Sequence, residues 1–192
     1  VAWRNIVVNE YSNKIREAIY GEEAKNPILV DEKVIFASPL FAYDESDPYI
    51  IAPTDSEGVV RTIIETTHPE AEKMGFGEFK VFELQVAIAD LGMVEAWVIH
   101  PSSSGDMLSL FNDLSSDAKK GRGNWSRFWK AKEMFADVRP AHAITAHRSQ
   151  GSTYENVFVD LRDISRNRNN VEMAKCFYVA ASRASKNLMV LR

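Results

Sequence analysis

Between Ala141 and Asp160 the chain reads A-H-A-I-T-A-H-R-S-Q-G-S-T-Y-E-N-V-F-V-D. Ala143-Ile144 lead into a dense polar cluster of Thr145, His147, Arg148, Ser149, Gln150, Gly151, Ser152 and Thr153, and the apolar run Val157-Phe158-Val159 then ends on Asp160. Two short apolar segments around such a loop read as buried strands of an α/β sheet. Loops leaving the carboxyl ends of such strands are where ligands sit. This one is crowded with hydrogen-bond donors, holds no carboxylate before Glu155 and carries Gly151 for close backbone approach. That chemistry suits a phosphate-bearing ligand; on composition alone the alternative is a solvated turn with a satisfied histidine.

The order of residues from Thr145 to Thr153 resembles the fifth motif of superfamily 1 helicases, in the RecD-like and Dda-like branch with its UvrD-like C-terminal half. Members of that branch more often carry lysine where this chain has Arg148, which keeps the charge and alters the geometry. About thirty residues on, Cys176-Phe177-Tyr178-Val179-Ala180-Ala181-Ser182-Arg183-Ala184-Ser185 resembles the sixth motif of the same superfamily. Ala180, Ala181 and Ala184 are small enough to let a helix lie close to a sheet, and Arg183 is a planar, permanent cation on that support. Such an arginine is what phosphoryl transfer uses to stabilise charge on the γ-phosphate; the alternative is a surface arginine on an ordinary amphipathic helix. Near the start, Trp3-Arg4-Asn5 followed by a helix resembles the fourth motif, where an aromatic stacks on adenine and an arginine reaches the γ-phosphate. The other reading of that segment is a core tryptophan beside a solvated arginine.

A chain of 192 residues holds one large domain or two small ones. Net charge is −4, so no global basic field announces a nucleic-acid partner, and any such binding has to come from local loops. The single cysteine, Cys176, excludes an internal disulfide and fits a reducing compartment and a core position. No apolar run approaches the roughly 18 residues of a membrane span, and a soluble, cytoplasmic protein with no membrane partner is expected.

In chain order, Asn5 is placed to cap a helix in which Ile6, Val7, Tyr11, Ile15, Ala18 and Ile19 recur at helical spacing, ended by Gly21. From Pro27 the pattern changes to short extended runs, 28–30, 33–37, 49–52, 57–64, 79–89 and 93–99, separated by Pro39, the turn 44–48, Pro53-Ser56, Pro69 to Gly77 and Asp90-Leu91-Gly92. Five or six such strands suggest a small closed barrel. The resemblance implies the same, because RecD-like helicases insert a Src-homology-3-like barrel between the fourth and fifth motifs, and Asp55 to Gly58 resembles the family's turn into a barrel strand. Asp31-Glu32 after Ile28-Leu29-Val30 makes a superficial magnesium box, but the run is three residues long and Lys33 opens a new strand at once, so a solvated turn is the better reading.

Ser102 to Gly105 reads as a hinge, with Asp106 capping a helix through Leu114. Residues 118–132 interleave Lys119, Lys120, Arg122, Arg127, Lys130 and Lys132 with Trp125, Phe128 and Trp129. A stacking-and-phosphate surface for single strands has this composition. The aromatics fall on one helical face, however, so an amphipathic helix packed on the sheet is expected. The basic turn 165–170 reads as a solvated loop, 171–184 as a helix and Leu188 to Leu191 as the closing strand.

No G-x-x-x-x-G-K-[ST] occurs, and Gly121-Arg122-Gly123 fits neither that loop nor a dinucleotide one. A helicase motor takes that loop and its magnesium-holding acid from a first RecA-like domain. The chain is therefore expected to be the C-terminal half of an ATP-dependent DNA helicase. Its fold would be a RecA-like, P-loop-type parallel sheet with helices, interrupted by the inserted barrel: residues 1–27, then the barrel over 28–104, then 105–192 with a helical connector. The resemblance implies ATP and Mg2+ as cofactors, bound mainly by the N-terminal RecA-like domain of the same protein, with Arg183 and Arg4 acting on the γ-phosphate and Trp3, Gln150 and Gly151 beside the nucleotide. Thr145, His147, Arg148 and Ser152 would face single-stranded DNA, translocated 5′ to 3′, and nuclease subunits are possible partners. No metal ligands are expected in this chain, and the chain by itself should not hydrolyse ATP. The competing readings are a non-enzymatic DNA- or protein-binding module and an inactive RecD-like subunit of an exonuclease complex.

Overall fold

A computed structural model describes residues 1–43 and 48–192, so the turn predicted over 44–48 lies almost wholly outside the described residues. The chain divides into two compact units, one formed by Val1–Ile28 with Pro140–Arg192 and the other by Leu29–Arg139.

In the second unit the long alternating runs become an antiparallel meander. β4 (Glu57–Thr67), β5 (Lys80–Ile88) and β6 (Gly92–Ile99) pair antiparallel along their lengths, with a register shift between Val60 and Thr62 of β4. β1 (Lys33–Phe36) pairs with β4, and the three-residue β7 (Val138–Pro140) lies beyond β1, giving the order β6-β5-β4-β1-β7. Val34, Phe36, Val60, Val81, Leu84, Val86, Val94 and Ala96 supply buried side chains; they alternate in β6 and from Leu84 to Ile88 of β5, whereas β1 buries Val34, Ile35 and Phe36 in a row. Gly58 is fixed by crowding: a Cβ there would stand 2.6 Å from Val86 Cγ1 and 3.0 Å from the Ala87 carbonyl.

Among the described residues the expected closed barrel is not formed: Ala37 N donates to Asp137 O at 2.7 Å between the neighbouring β1 and β7, and toward the far edge, β6, an isolated hydrogen bond runs from Ala136 N to Trp97 O at 2.8 Å. β7 is too short to extend a ladder to β6. β2 (Leu40–Tyr43) and β3 (Pro48–Ala52) form a separate hairpin, and β2 was not anticipated from the sequence. The run 28–30 is not a strand either. It leads into a turn in which Asp31 takes φ 62° and accepts a hydrogen bond from Arg61, while the buried Glu32 accepts one from Leu29 N.

Residues 105–139, expected with the second RecA-like segment, fall in this unit instead. α2 (Ser104–Lys119) and α3 (Trp125–Glu133) pack by Met107, Leu110, Phe111, Leu114 and Ala131 against Ala71, Phe76 and Phe79. Ser103, not Asp106, precedes α2. At the edge of this core His68 is buried between Trp97 and Phe135, each ring centroid 5.4 Å away.

The first unit is α/β. α1 (Asn5–Tyr20) ends at Gly21, φ 56°, and a 3-10 turn follows over Gly21–Lys25. β8 (Tyr154–Asp160) and β9 (Ala184–Leu191) pair in parallel, joined by the short α4 (Leu161–Ile164) and by α5 (Asn170–Ala181). Val157, Val159, Ile164, Cys176, Ala180 and Ala146 form its core, so Cys176 and Ala180 take the packing roles expected of small residues. No helix among the described residues is long and apolar enough to cross a membrane.

His68 accepts from Glu70 N on Nδ1 at 3.2 Å, so Nε2 carries the proton and donates to the Met134 carbonyl at 3.3 Å. Burial holds its pKa below 6.5. A histidine kept neutral in the fold contributes stability that is present above the unfolded-state pKa and lost as pH falls through the folded one. The melting temperature should therefore drop between pH 7.5 and 5.5, and His68→Gln should flatten that dependence; an unchanged slope in the variant would show that the acid sensitivity lies elsewhere.

Candidate functional site

The polar loop is held by the first residues of the chain. Val1 O accepts from Asp160 N at 3.0 Å, while Ala2 N donates to Ile144 O at 3.2 Å and Ala2 O accepts from Ala146 N at 2.8 Å. The segment 1–2 thus lies between the end of β8 and residues 144–146, bridging Thr145 in parallel. From there the loop winds tightly. Ser149 N reaches Thr145 O at 3.0 Å, Gln150 N reaches His147 O, and Ser152 N reaches Ser149 O. Thr145 and Ser149 are buried and serve the loop itself: Thr145 Oγ1 accepts from Arg148 N at 3.3 Å, and Ser149 Oγ donates to Ala146 O at 2.8 Å. His147, Gln150 and Gly151 are exposed, and Arg148 and Ser152 are half-buried. Gly151 has φ 93°, where a side chain would be strained.

Arg183 is locked against this loop. Its Nη1 donates to Ser152 O at 3.3 Å, its Nε to Val179 O at 3.1 Å and its Nη2 to Ser182 Oγ at 2.9 Å. Its carbonyl accepts from Tyr154 N at 2.9 Å. Three of five guanidinium N–H groups are engaged, leaving two for a ligand. His147 meets α5 as well, with Nε2 3.9 Å from the Cys176 sulfur. Burial pushes the Cys176 thiol up from its ordinary value, so it stays protonated beside that imidazole.

Arg4 and Trp3 are organised by a residue that sequence reasoning did not single out. Asp163 Oδ2 accepts from Trp3 N at 2.8 Å and Arg4 N at 2.9 Å, and its Oδ1 accepts from Arg4 Nε at 2.6 Å. This carboxylate, not Asn5, caps α1: Asn5 is already the first helical residue. Arg4 remains partly exposed and its two Nη groups have no partner among the described residues. Trp3 packs partly buried against the core of this unit. Asp163 is held in turn, its N donating to Asp160 Oδ1 at 3.2 Å. Burial raises the Asp160 pKa, but hydrogen bonds from Tyr11, the Asp163 amide and Arg162 outweigh that and hold it below the ordinary value. The signal available in the sequence was D-L-R-D after an apolar strand, the spacing of a helix cap.

Residues 140–191 match the family described as UvrD-like helicase C-terminal domain. Over this segment the chain is similar to UvrD-like helicase C-terminal domains. Of curated proteins, an uncharacterized protein of Acanthamoeba polyphaga mimivirus is 24% identical over 229 aligned residues, covering 98% of this chain and 46% of its own. The ATP-dependent DNA helicase dda of Enterobacteria phage T4 is 27% identical over 173, covering 83% of this chain and 39% of its own. The chain therefore spans less than half the length of either relative. The structure resembles that of Pif1 helicase from Candida albicans with a TM-score of 0.50 at 14% identity, over all of this chain and 44% of that one; this likeness concerns the mixed α/β fold.

Within the segment that matches this family, Asp163 offers a stability test. Asp163→Ala leaves two helix-start amides and a guanidinium without their acceptor and should cost about 1–3 kcal/mol in urea unfolding. Asp163→Asn, whose carbonyl can still cap the helix, should cost less. Equal losses would mean that the backbone acceptor role adds nothing beyond the ion pair with Arg4.

Proposed function

We propose that this chain is the C-terminal half of an ATP-dependent DNA helicase, in which the loop 145–153 and Arg183 form one wall of a nucleotide cleft completed by another RecA-like domain. The observation that carries this reading is the hydrogen bond from Arg183 to the Ser152 carbonyl, which joins the two motif-bearing segments into one rigid surface. A polyphosphate suits that surface. The Arg183 guanidinium keeps two unused N–H groups, and the loop between Thr145 and Thr153 carries no acid to repel an anion. Mg2+ would be held mainly by the other half together with the nucleotide, where it would neutralise charge on the phosphates.

In this scheme Arg183 and Arg4 stabilise charge developing on the γ-phosphate, each pre-oriented by carbonyl or carboxylate acceptors. Gln150 and Gly151, exposed on the same loop, adjoin the nucleotide, and Trp3 flanks it. His147, Arg148 and Ser152 face single-stranded DNA. Thr145 acts through its hold on the Arg148 amide as much as through any contact of its own. A loop that touches both ligands couples them, because closing on ATP shifts the strand-gripping groups relative to the other domain. Repeated closure moves the strand, 5′ to 3′ in this reading.

Transition-state arginines are commonly worth about 10³-fold or more in rate. In the full-length protein Arg183→Ala should cut DNA-stimulated ATP hydrolysis by about that factor while single-strand binding persists, and a wild-type rate would remove Arg183 from the chemistry. His147→Ala should leave basal hydrolysis in place and weaken its stimulation by single strands; full stimulation in that variant would take His147 off the DNA path.

A further inference from the structure

The aromatic and basic run over residues 118–132 is arranged differently from the expectation of a helix with its aromatics packed inward. The inward stripe of α3 is Phe128 and Ala131, continuing to Met134 and Phe135. Arg127 lies over the Phe76 ring at 5.1 Å and donates to the Gly75 carbonyl at 3.0 Å. Trp125 and Trp129 consequently flank the stripe and stay 44% and 49% exposed. They stand one helical turn apart, each edge-on to Phe128, at 5.5 and 5.2 Å between centroids. That packing braces the indoles without covering them.

Charge accompanies them. Six of the chain's 23 lysines and arginines fall in 118–132, a stretch without one carboxylate, in a protein of net charge −4. Lys132 sits over the Trp129 ring at 5.3 Å. Lys119, Lys120 and Arg122 are exposed around the α2–α3 turn, where Gly121 takes φ 71° and Asn124 caps α3 through Ser126 N. Braced, exposed aromatics beside a local excess of cations are what an unpaired strand requires: bases stack on the rings and phosphates meet the cations. A lipid surface would need a broader apolar face than a nine-residue helix with Asn124 and Ser126 at its tip provides.

We propose that Trp125 and Trp129, with Lys132 and the Lys119, Lys120 and Arg122 turn, form a second binding surface for single-stranded nucleic acid, on the unit that does not contain the motif loop. The choice of a nucleic-acid strand over other polyanions rests on the helicase reading above. Such a surface gives the strand a hold that does not depend on the nucleotide state of the motor.

The test is binding of a fluorescently labelled oligothymidylate to the 192-residue chain across a salt series. Trp125→Ala/Trp129→Ala should weaken binding at least about tenfold with an unchanged thermal melt, since both side chains are exposed. Lys119→Gln/Lys120→Gln/Arg122→Gln should lower the slope of log affinity against log salt by about two, at about 0.7 per phosphate contact. Wild-type affinity and slope in both variants would overturn the proposal. So would tryptophan-dependent binding to phosphatidylserine vesicles with oligonucleotide affinity unchanged.

The same variants in the full-length protein separate this surface from the motor. If oligonucleotide affinity is unaffected while single strands still stimulate ATP hydrolysis, the surface falls and the motor stands. If the variants lose binding and the wild-type full-length protein shows no stimulated hydrolysis, the surface stands and the motor falls.

Discussion

The three hydrogen bonds from the Arg183 guanidinium determine what the α/β unit can do. A guanidinium at the end of an exposed helix would sample many rotamers and lose entropy on meeting a ligand. Here its acceptors are two backbone carbonyls and a neighbouring hydroxyl, and one of the carbonyls belongs to Ser152 in the polar loop. The cation and the loop therefore move together, and donors fixed before a ligand arrives need no reorganisation when charge develops.

The chain start in the same unit follows the same logic. Asp163 caps α1 and holds Arg4 with one carboxylate, and Asp160, at the end of β8, orients Asp163. Tyr11 of α1 donates to Asp160 at 2.5 Å. The first four residues of the chain, α1 and the β8–α4 junction are thereby one hydrogen-bonded assembly. Its links run between residues about 150 to 160 positions apart, so the unit is closed by contacts between its two chain segments.

Much of this was legible because the informative patterns are local. The loop between Thr145 and Thr153 and the alanine-rich helix before Arg183 each announce themselves within ten residues, and β4, β5 and β6 follow from alternation. What was not legible depended on distance or on context. Asp163 could be seen as part of a cap, but its partners Trp3 and Arg4 lie some 160 residues away. β2 follows Pro39 and offers too short an apolar run to show a period. Barrel closure was an inference from strand count, whereas closure depends on non-local pairing that the three-residue β7 does not extend to β6. Helical periodicity put Trp125, Phe128 and Trp129 on one side of α3 but could not say where the centre of the buried stripe falls; a shift of one position left the indoles in solvent.

The central claim is that Arg183 and the loop beside it face a nucleotide contributed mainly by a domain outside this chain. The most direct measurement is a structure of the full-length protein with single-stranded DNA and a non-hydrolysable ATP analogue. The account predicts a guanidinium N–H of Arg183 within hydrogen-bond reach, about 3 Å, of a γ-phosphate oxygen, with the Ser152 contact retained. Finding the triphosphate bound away from both Arg183 and the loop would contradict it.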